Sequence, residues 1–91
     1  MFEVDLCLQL PFESRYNNKH LKFEVKDISD LENTLVKFFR ENSLQEILDP
    51  ETGKIRNQYC FLCNGKIYRN IKEIELRRKN EITFFLMLVG G

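Results

Sequence analysis

The sequence predicts an α+β fold in which one main helix packs across a mixed sheet of four or five strands. Three observations support this prediction: two early segments of alternating hydrophobicity, one middle segment with helical periodicity, and an apolar run at 82–89. The chain has 91 residues, 43% hydrophobic and 31% charged, which suits one domain with a modest core. We expect that domain to cover residues 1–89, with a flexible tail at 90–91.

Alternation indicates the first two strands. Every second side chain along residues 2–10 is apolar, which is typical of a strand with one buried face. Leu21, Phe23 and Val25 alternate with charged residues in the same way. The polar stretch 13–19 lies between the two segments, so we expect them to form a hairpin.

The middle of the chain predicts the main helix over residues 30–41. Its apolar side chains recur at helical spacing and form one stripe. The stripe consists of Leu31, Leu35, Phe38 and Phe39. Ser29 and Glu32 have the spacing of a capping box, which predicts the helix start. A further helical turn is expected over 44–48, before the break at Asp49-Pro50.

The second half of the chain predicts a second hairpin and a central strand. Asn64-Gly65 separates two short apolar runs, 59–63 and 66–68, and both residues tolerate the positive φ of a tight turn. Residues 69–80 are polar and irregular, and the run 82–89 suits a strand that is covered on both faces. A crossover through the helix brings this strand back parallel to the first. The predicted arrangement is a β-grasp (ubiquitin-like) fold. Its expected core is Leu6, Leu8, Phe23, Val25, Leu31, Leu35, Phe38, Phe61, Ile82 and Phe84.

Charge and cysteine content exclude several classes of function. The 14 basic and 14 acidic residues give no net positive field, so we expect no nucleic-acid partner. No apolar run reaches the ~18 residues of a membrane span, and we expect no membrane partner. Three cysteines give no disulfide framework, which favours a reducing, cytoplasmic location. Cys60 and Cys63 are expected to be core residues rather than metal ligands, and His20 a surface residue.

Gly90-Gly91 follows the last apolar run directly. Two glycines there bury no side chain and lose much conformational entropy if they become ordered. A tail without side chains can, however, enter a narrow channel and bring a terminal carboxylate to a buried site. ATP can activate that carboxylate as an acyl-adenylate, which a sulfur or nitrogen nucleophile then attacks. Gly91, with Gly90 before it, is therefore the candidate reactive end of the chain.

Three stretches resemble the ThiS/MoaD sulfur-carrier family. A last strand that runs into Gly90-Gly91 is similar to that family's ending, and Asn64-Gly65 stands where the family carries a turn. Residues 48–56 resemble an insertion of the molybdopterin-synthase branch. Two features depart from the family: residues 78–81 replace a common Asp-Gly-Asp, and no proline precedes the Gly-Gly.

The resemblance implies a protein co-substrate rather than an enzyme, with no cofactor bound to it. An E1-like adenylating enzyme would use ATP to activate Gly91, and a sulfur-donor enzyme would convert it to a thiocarboxylate. A large synthase subunit, most plausibly of molybdopterin synthase, or another acceptor would take the sulfur. Two alternatives stay open. One is a ubiquitin-like modifier joined to lysines through Gly91, and the other is a non-catalytic interaction domain.

The last strand also predicts a partner-binding surface. If Ile82, Phe84 and Leu86 face the helix, then Phe85, Met87 and Val89 face the opposite side of the sheet. One helix cannot cover both faces, so an apolar strip would remain there for a partner. The alternative is that the loop 69–80 folds over this strip.

Overall fold

A computed structural model describes residues 1–87 of the chain. Within them, five strands form one sheet and one long helix packs across it, so the fold is α+β. The elements in chain order are β1 (Phe2–Gln9), β2 (His20–Val25), α1 (Ile28–Glu41), β3 (Tyr59–Cys63), β4 (Lys66–Tyr68) and β5 (Lys79–Leu86). Two single 3₁₀ turns lie at Gln45–Ile47 and Ile71–Glu73. The first is the additional turn that the sequence predicts over 44–48.

The strand order in the sheet is β2-β1-β5-β3-β4. β5 is therefore central, parallel to β1 on one side and antiparallel to β3 on the other. This confirms that the last strand returns beside the first. The strand begins three residues earlier than the apolar run predicts, because Lys79, Asn80 and Glu81 already pair with β1 through their backbones.

The core lies between the sheet and α1. Leu6, Leu8, Ile82 and Phe84 of the two central strands have at most 1% of their surface exposed. Phe39 of α1 packs on Phe84 with ring centroids 5.2 Å apart. Each such buried apolar side chain contributes about 1.5–3 kcal/mol to stability. These contacts hold β5, and hence its end, in a fixed position.

Two of the ten side chains expected in the core are only half-buried. Phe23 lies on the edge strand β2, and Phe38 lies at the side of the α1 stripe next to Tyr16. Both pack against the core rather than inside it. The predicted stripe therefore has the right period, but its centre is Leu31, Leu35 and Phe39.

The start of α1 differs from the predicted capping box. The helix begins at Ile28, and its N-cap is Asp27, whose carboxylate accepts a hydrogen bond from the Asp30 backbone N–H at 2.8 Å. Asp30 in turn accepts from the backbone N–H of Lys26 at 2.8 Å. The cap therefore lies two residues before Ser29, and its return bond goes to the residue before the N-cap rather than to the N-cap itself as in a capping box.

The second hairpin turns at Asn64-Gly65, as predicted. Both residues have positive φ, 51° at Asn64 and 87° at Gly65. This left-handed pair matches the twist of the strands it joins. Within residues 1–87, no helix is both long and apolar enough to span a membrane.

Candidate functional site at the end of the central strand

The described part of the chain ends one residue after β5. The strand ends at Leu86, and the Met87 backbone N–H donates to the Gln58 carbonyl at 3.0 Å, so the chain follows β3 for one residue more. Met87 is half-buried. The predicted site residues Val89, Gly90 and Gly91 lie outside the described residues.

The sheet face opposite α1 carries an apolar patch beside this end. Register places Phe85 across from Cys60, and Leu62 across from both Thr83 and Ile67. Leu62 is 37% exposed and Ile67 is 53% exposed, while Phe85 and Met87 are half-buried. We call Leu62, Ile67, Phe85 and Met87 the outer patch.

The loop 69–80 packs mainly on the helix side of the sheet, although Arg69 at its start contacts Met87 of the outer patch. Ile71 and Ile74 are 4% and 6% exposed and belong to the core cluster that includes Leu31 and Leu35 of α1. The loop therefore packs on the helix side of the sheet. Register places Phe85 on the face opposite α1, as expected, and a partner surface there stays a prediction. Sequence reasoning missed Leu62 and Ile67, because it predicted the β3–β4 hairpin but not its position at the edge of the sheet.

The rest of the outer face is charged and mostly acidic. Asp5 pairs in register with Glu81 and Lys22, and Glu3 pairs with Lys79 and Glu24. These rows lie toward the start of β5, away from Met87. The outer face therefore has an apolar half next to Met87 and a charged half at the other end of β5.

His20 has a neighbour that the sequence did not reveal. Its Nδ1 lies 2.8 Å from Asp5 Oδ1, and Cys7 faces His20 in the β1–β2 register. The imidazole side chain is 61% exposed. An exposed pair of this kind contributes little to stability. The expectation that His20 is a surface residue is confirmed.

The cysteine pair is buried, as predicted. Cys60 and Cys63 are each 2% exposed, and register places Cys60 opposite Phe85 but Cys63 opposite Ile82, hence on opposite faces. Burial raises the pKa of the Cys63 thiol, and the nearby Arg77 guanidinium offsets part of that effect. Among the described residues, no group of three His, Cys, Asp or Glu side chains could hold a metal ion.

A basic groove lies on the helix side of the sheet, and one end of it reaches Met87. It runs between the 48–57 loop and the 3₁₀ turn at Ile71–Glu73, and its exposed cations are Lys54, Arg56, Arg69 and Lys72. Arg69 and Asn57 also line a smaller hollow with Met87 and Cys60. Sequence reasoning missed this groove, because its cations come from two segments that only the fold brings together.

Comparison of the chain with protein-family models, with curated proteins and with solved structures produced no match.

Proposed function

We propose that this chain is a ubiquitin-like β-grasp protein that carries sulfur on the carboxylate of Gly91. The single observation that carries the proposal is the relation between β5 and the glycines. The central strand ends at Leu86 beside an uncovered apolar patch, and four residues after Met87 the sequence reaches Gly91. The resemblance of three stretches to ThiS/MoaD sulfur carriers supports the same function.

The β-grasp assignment is supported by the order of the elements and the pairing of the strands. One helix crosses a mixed sheet, the first and last strands are parallel neighbours, and two hairpins flank them. A sheet with one helix leaves its second face uncovered. In the proposed function, Phe85 and Met87 on that face dock the partner, while the tail beyond them enters the partner's active site.

The proposed chemistry takes place at the Gly91 carboxylate in the partner's active site. A carboxylate oxygen attacks the α-phosphorus of ATP, which forms the acyl-adenylate and releases pyrophosphate. The terminal sulfur of a donor persulfide then attacks the acyl carbon and expels AMP. A second thiol reduces the remaining S–S bond, which releases the thiocarboxylate and leaves a disulfide on the donor. A sulfur acceptor, first of all a molybdopterin synthase, would consume the product.

The bare tail suits this chemistry for a steric reason. The reacting carbon must reach a nucleotide held inside the adenylating enzyme, and a misplacement of ~1 Å can cost ~100-fold in rate. Glycine at both terminal positions adds no side chain that a narrow channel would have to accommodate.

The test is intact mass spectrometry of the natural mature protein after incubation with ATP, an adenylating enzyme of its own organism and a persulfide donor. The proposal expects a chain that ends at Gly91 and gains the mass of one oxygen exchanged for sulfur. The matched control lacks Gly91 and should not change in mass. A mature chain that continues past Gly91, or the absence of any adenylate, would overturn the proposal. A lysine adduct in place of the thiocarboxylate would replace the sulfur carrier with a ubiquitin-like modifier.

A further inference from the structure

The basic groove carries more positive than negative side chains. Its four cations, Lys54, Arg56, Arg69 and Lys72, face two carboxylates, Glu32 and Asp49. Asp49 uses its Oδ1 to accept the Glu51 backbone N–H at 2.9 Å, within its own turn. The ion pairs found within residues 1–87 are His20–Asp5 and Lys37–Glu41, so none of the groove cations is paired there.

The groove does not have the construction of a phosphate or nucleotide site. Such sites use free backbone N–H groups, but here the N–H groups are already engaged. Gly53 donates to the Asp49 carbonyl at 2.7 Å, and the Lys54 and Lys72 amides donate to Thr52 and Asn70 side chains. The two aromatic rings that line the groove, Tyr59 and Phe61, are 6% and 2% exposed, so they offer no base a stacking surface.

The groove therefore presents an open row of long cationic side chains. This row reaches Met87, the last residue that the structure describes. Arg69 lines both the groove and the hollow at Met87, and its Nη2 lies 3.5 Å from Met87 Sδ. A protein that receives the tail therefore also meets this groove. Lysine and arginine side chains of this kind attract carboxylates at a distance and orient the approach of a partner.

We propose that the groove lined by Lys54, Arg56, Arg69 and Lys72 docks an acidic surface of the protein that receives the tail. This inference rests on the proposed function, since it assigns the tail's partner a cluster of Asp and Glu side chains at the rim of its active site. The outer patch contacts the same partner from the other face of the sheet.

The first test is steady-state adenylation of the full-length chain with charge-swapped variants. Lys54→Glu/Lys72→Glu alters two lysines of the groove and spares Arg56, whose Nε donates to the Glu46 carbonyl at 2.9 Å. Lys22→Glu/Lys79→Glu is the matched control, because it changes net charge equally but on the remote half of the outer face. At low salt the groove variant should raise KM about tenfold with kcat unchanged, and added salt should shrink the difference. An equal rise in both variants, or no rise, overturns the inference.

The second test does not depend on adenylation. The ¹⁵N-labelled chain is titrated with poly-L-glutamate and separately with inorganic tripolyphosphate, and amide shifts are recorded. The inference expects poly-L-glutamate to shift amides of residues 52–57 and 69–72, and expects these shifts to vanish in the groove variant but not in the control. It is overturned if no localised shift occurs, or if tripolyphosphate causes the same shifts at lower concentration. If poly-L-glutamate shifts the groove amides but no adenylate forms, the groove binds acidic chains and the sulfur-carrier proposal is rejected.

Discussion

Asn80 is the one side chain in the described part of the chain that is both polar and buried, with 3% of its surface exposed. Its Nδ2 donates to the carbonyls of Glu3 at 2.9 Å and Arg77 at 2.6 Å. Its Oδ1 accepts from the Arg77 N–H at 2.8 Å and from Asn64 Nδ2 at 3.1 Å. One amide thus joins β1, the start of β5 and the tight turn before β4.

We expect Asn80→Ala to destabilise the protein by about 3 kcal/mol, because it leaves buried carbonyl and N–H groups without partners. Asn80→Asp should also be costly, since a carboxylate would face two carbonyl oxygens where the amide donated. Urea unfolding measures both changes. Asn57→Ala, at an exposed loop position, is the control and should stay within about 0.5 kcal/mol of wild type. A similar small loss for Asn80→Ala would contradict the role assigned to this network.

Cys63 makes stability depend on pH. Burial raises its thiol pKa above the ordinary 9.0, so the folded state favours the protonated form. The unfolded chain then loses its proton first as pH rises, and stability falls from about pH 9 upward. Burial, with a smaller contribution from Glu46, raises the Tyr59 pKa above 10.0 in the same sense.

The variant Cys63→Ala should therefore lose less stability than wild type between about pH 7.5 and pH 10. Only the difference between the two pH values matters, because the lost sulfur costs stability at both. Urea midpoints at each pH give that difference, and Tyr59 contributes equally to both proteins. Equal losses would mean that the Cys63 thiol titrates in the folded protein as it does in the unfolded chain.

At the scale of elements, the start of α1 shows why a sequence motif can misplace a helix end. Ser29 and Glu32 have capping-box spacing, and so do Asp27 and Asp30, of which Asp27 accepts from the Asp30 N–H and Asp30 accepts from the Lys26 N–H. Both pairs precede the same apolar stripe. Asp27 is the N-cap, because Ile28 packs against the core and already belongs to the helix.

Substitutions at the two candidate caps test this assignment. Asp27→Ala should cost about 1 kcal/mol, because the Asp30 N–H loses its acceptor. Ser29→Ala is the control and should change little, since Ser29 is an exposed residue inside the first turn, where alanine is at least as good a helix former. Thermal or urea unfolding distinguishes them. A larger loss from Ser29→Ala than from Asp27→Ala would place the cap at Ser29 after all.

At the scale of the whole molecule, the order of elements follows from short-range patterns. Alternation in 2–10, the Leu31–Leu35 spacing and Asn64-Gly65 each act over a few residues, and each is visible in the sequence. The network of Asn80 is not, because its bond to Glu3 joins residues 77 positions apart. The exposed pair Leu62–Ile67 looks like core in the sequence, and only the position of β4 at the sheet edge leaves it uncovered.

The arrangement of the candidate site separates docking from chemistry. The outer patch and the basic groove belong to the rigid sheet and its loops, while the proposed reactive carboxylate lies beyond Met87 in the sequence. In the proposed function the patch only docks the partner, so its interactions should be the same in the ground state and the transition state of adenylation. Changes there should alter KM alone, whereas a change in the glycines should alter kcat.

Two variants test this separation in the adenylation reaction. Leu62→Thr/Ile67→Thr removes apolar contact from the patch and places β-branched threonine, which strands favour, at both positions, so stability should change by no more than about 1 kcal/mol. With this variant as the carrier, we expect the KM of the adenylating enzyme to rise about tenfold or more and kcat to stay near wild type.

Gly90→Val should bind the adenylating enzyme as well as wild type but lose about 100-fold or more in kcat, because a β-branched side chain displaces the carboxylate in a narrow channel. Calorimetric titration gives the binding and pyrophosphate release gives the rate. A loss of kcat in the patch variant, or unimpaired turnover in Gly90→Val, would show that docking and chemistry are not divided between sheet and tail in this way.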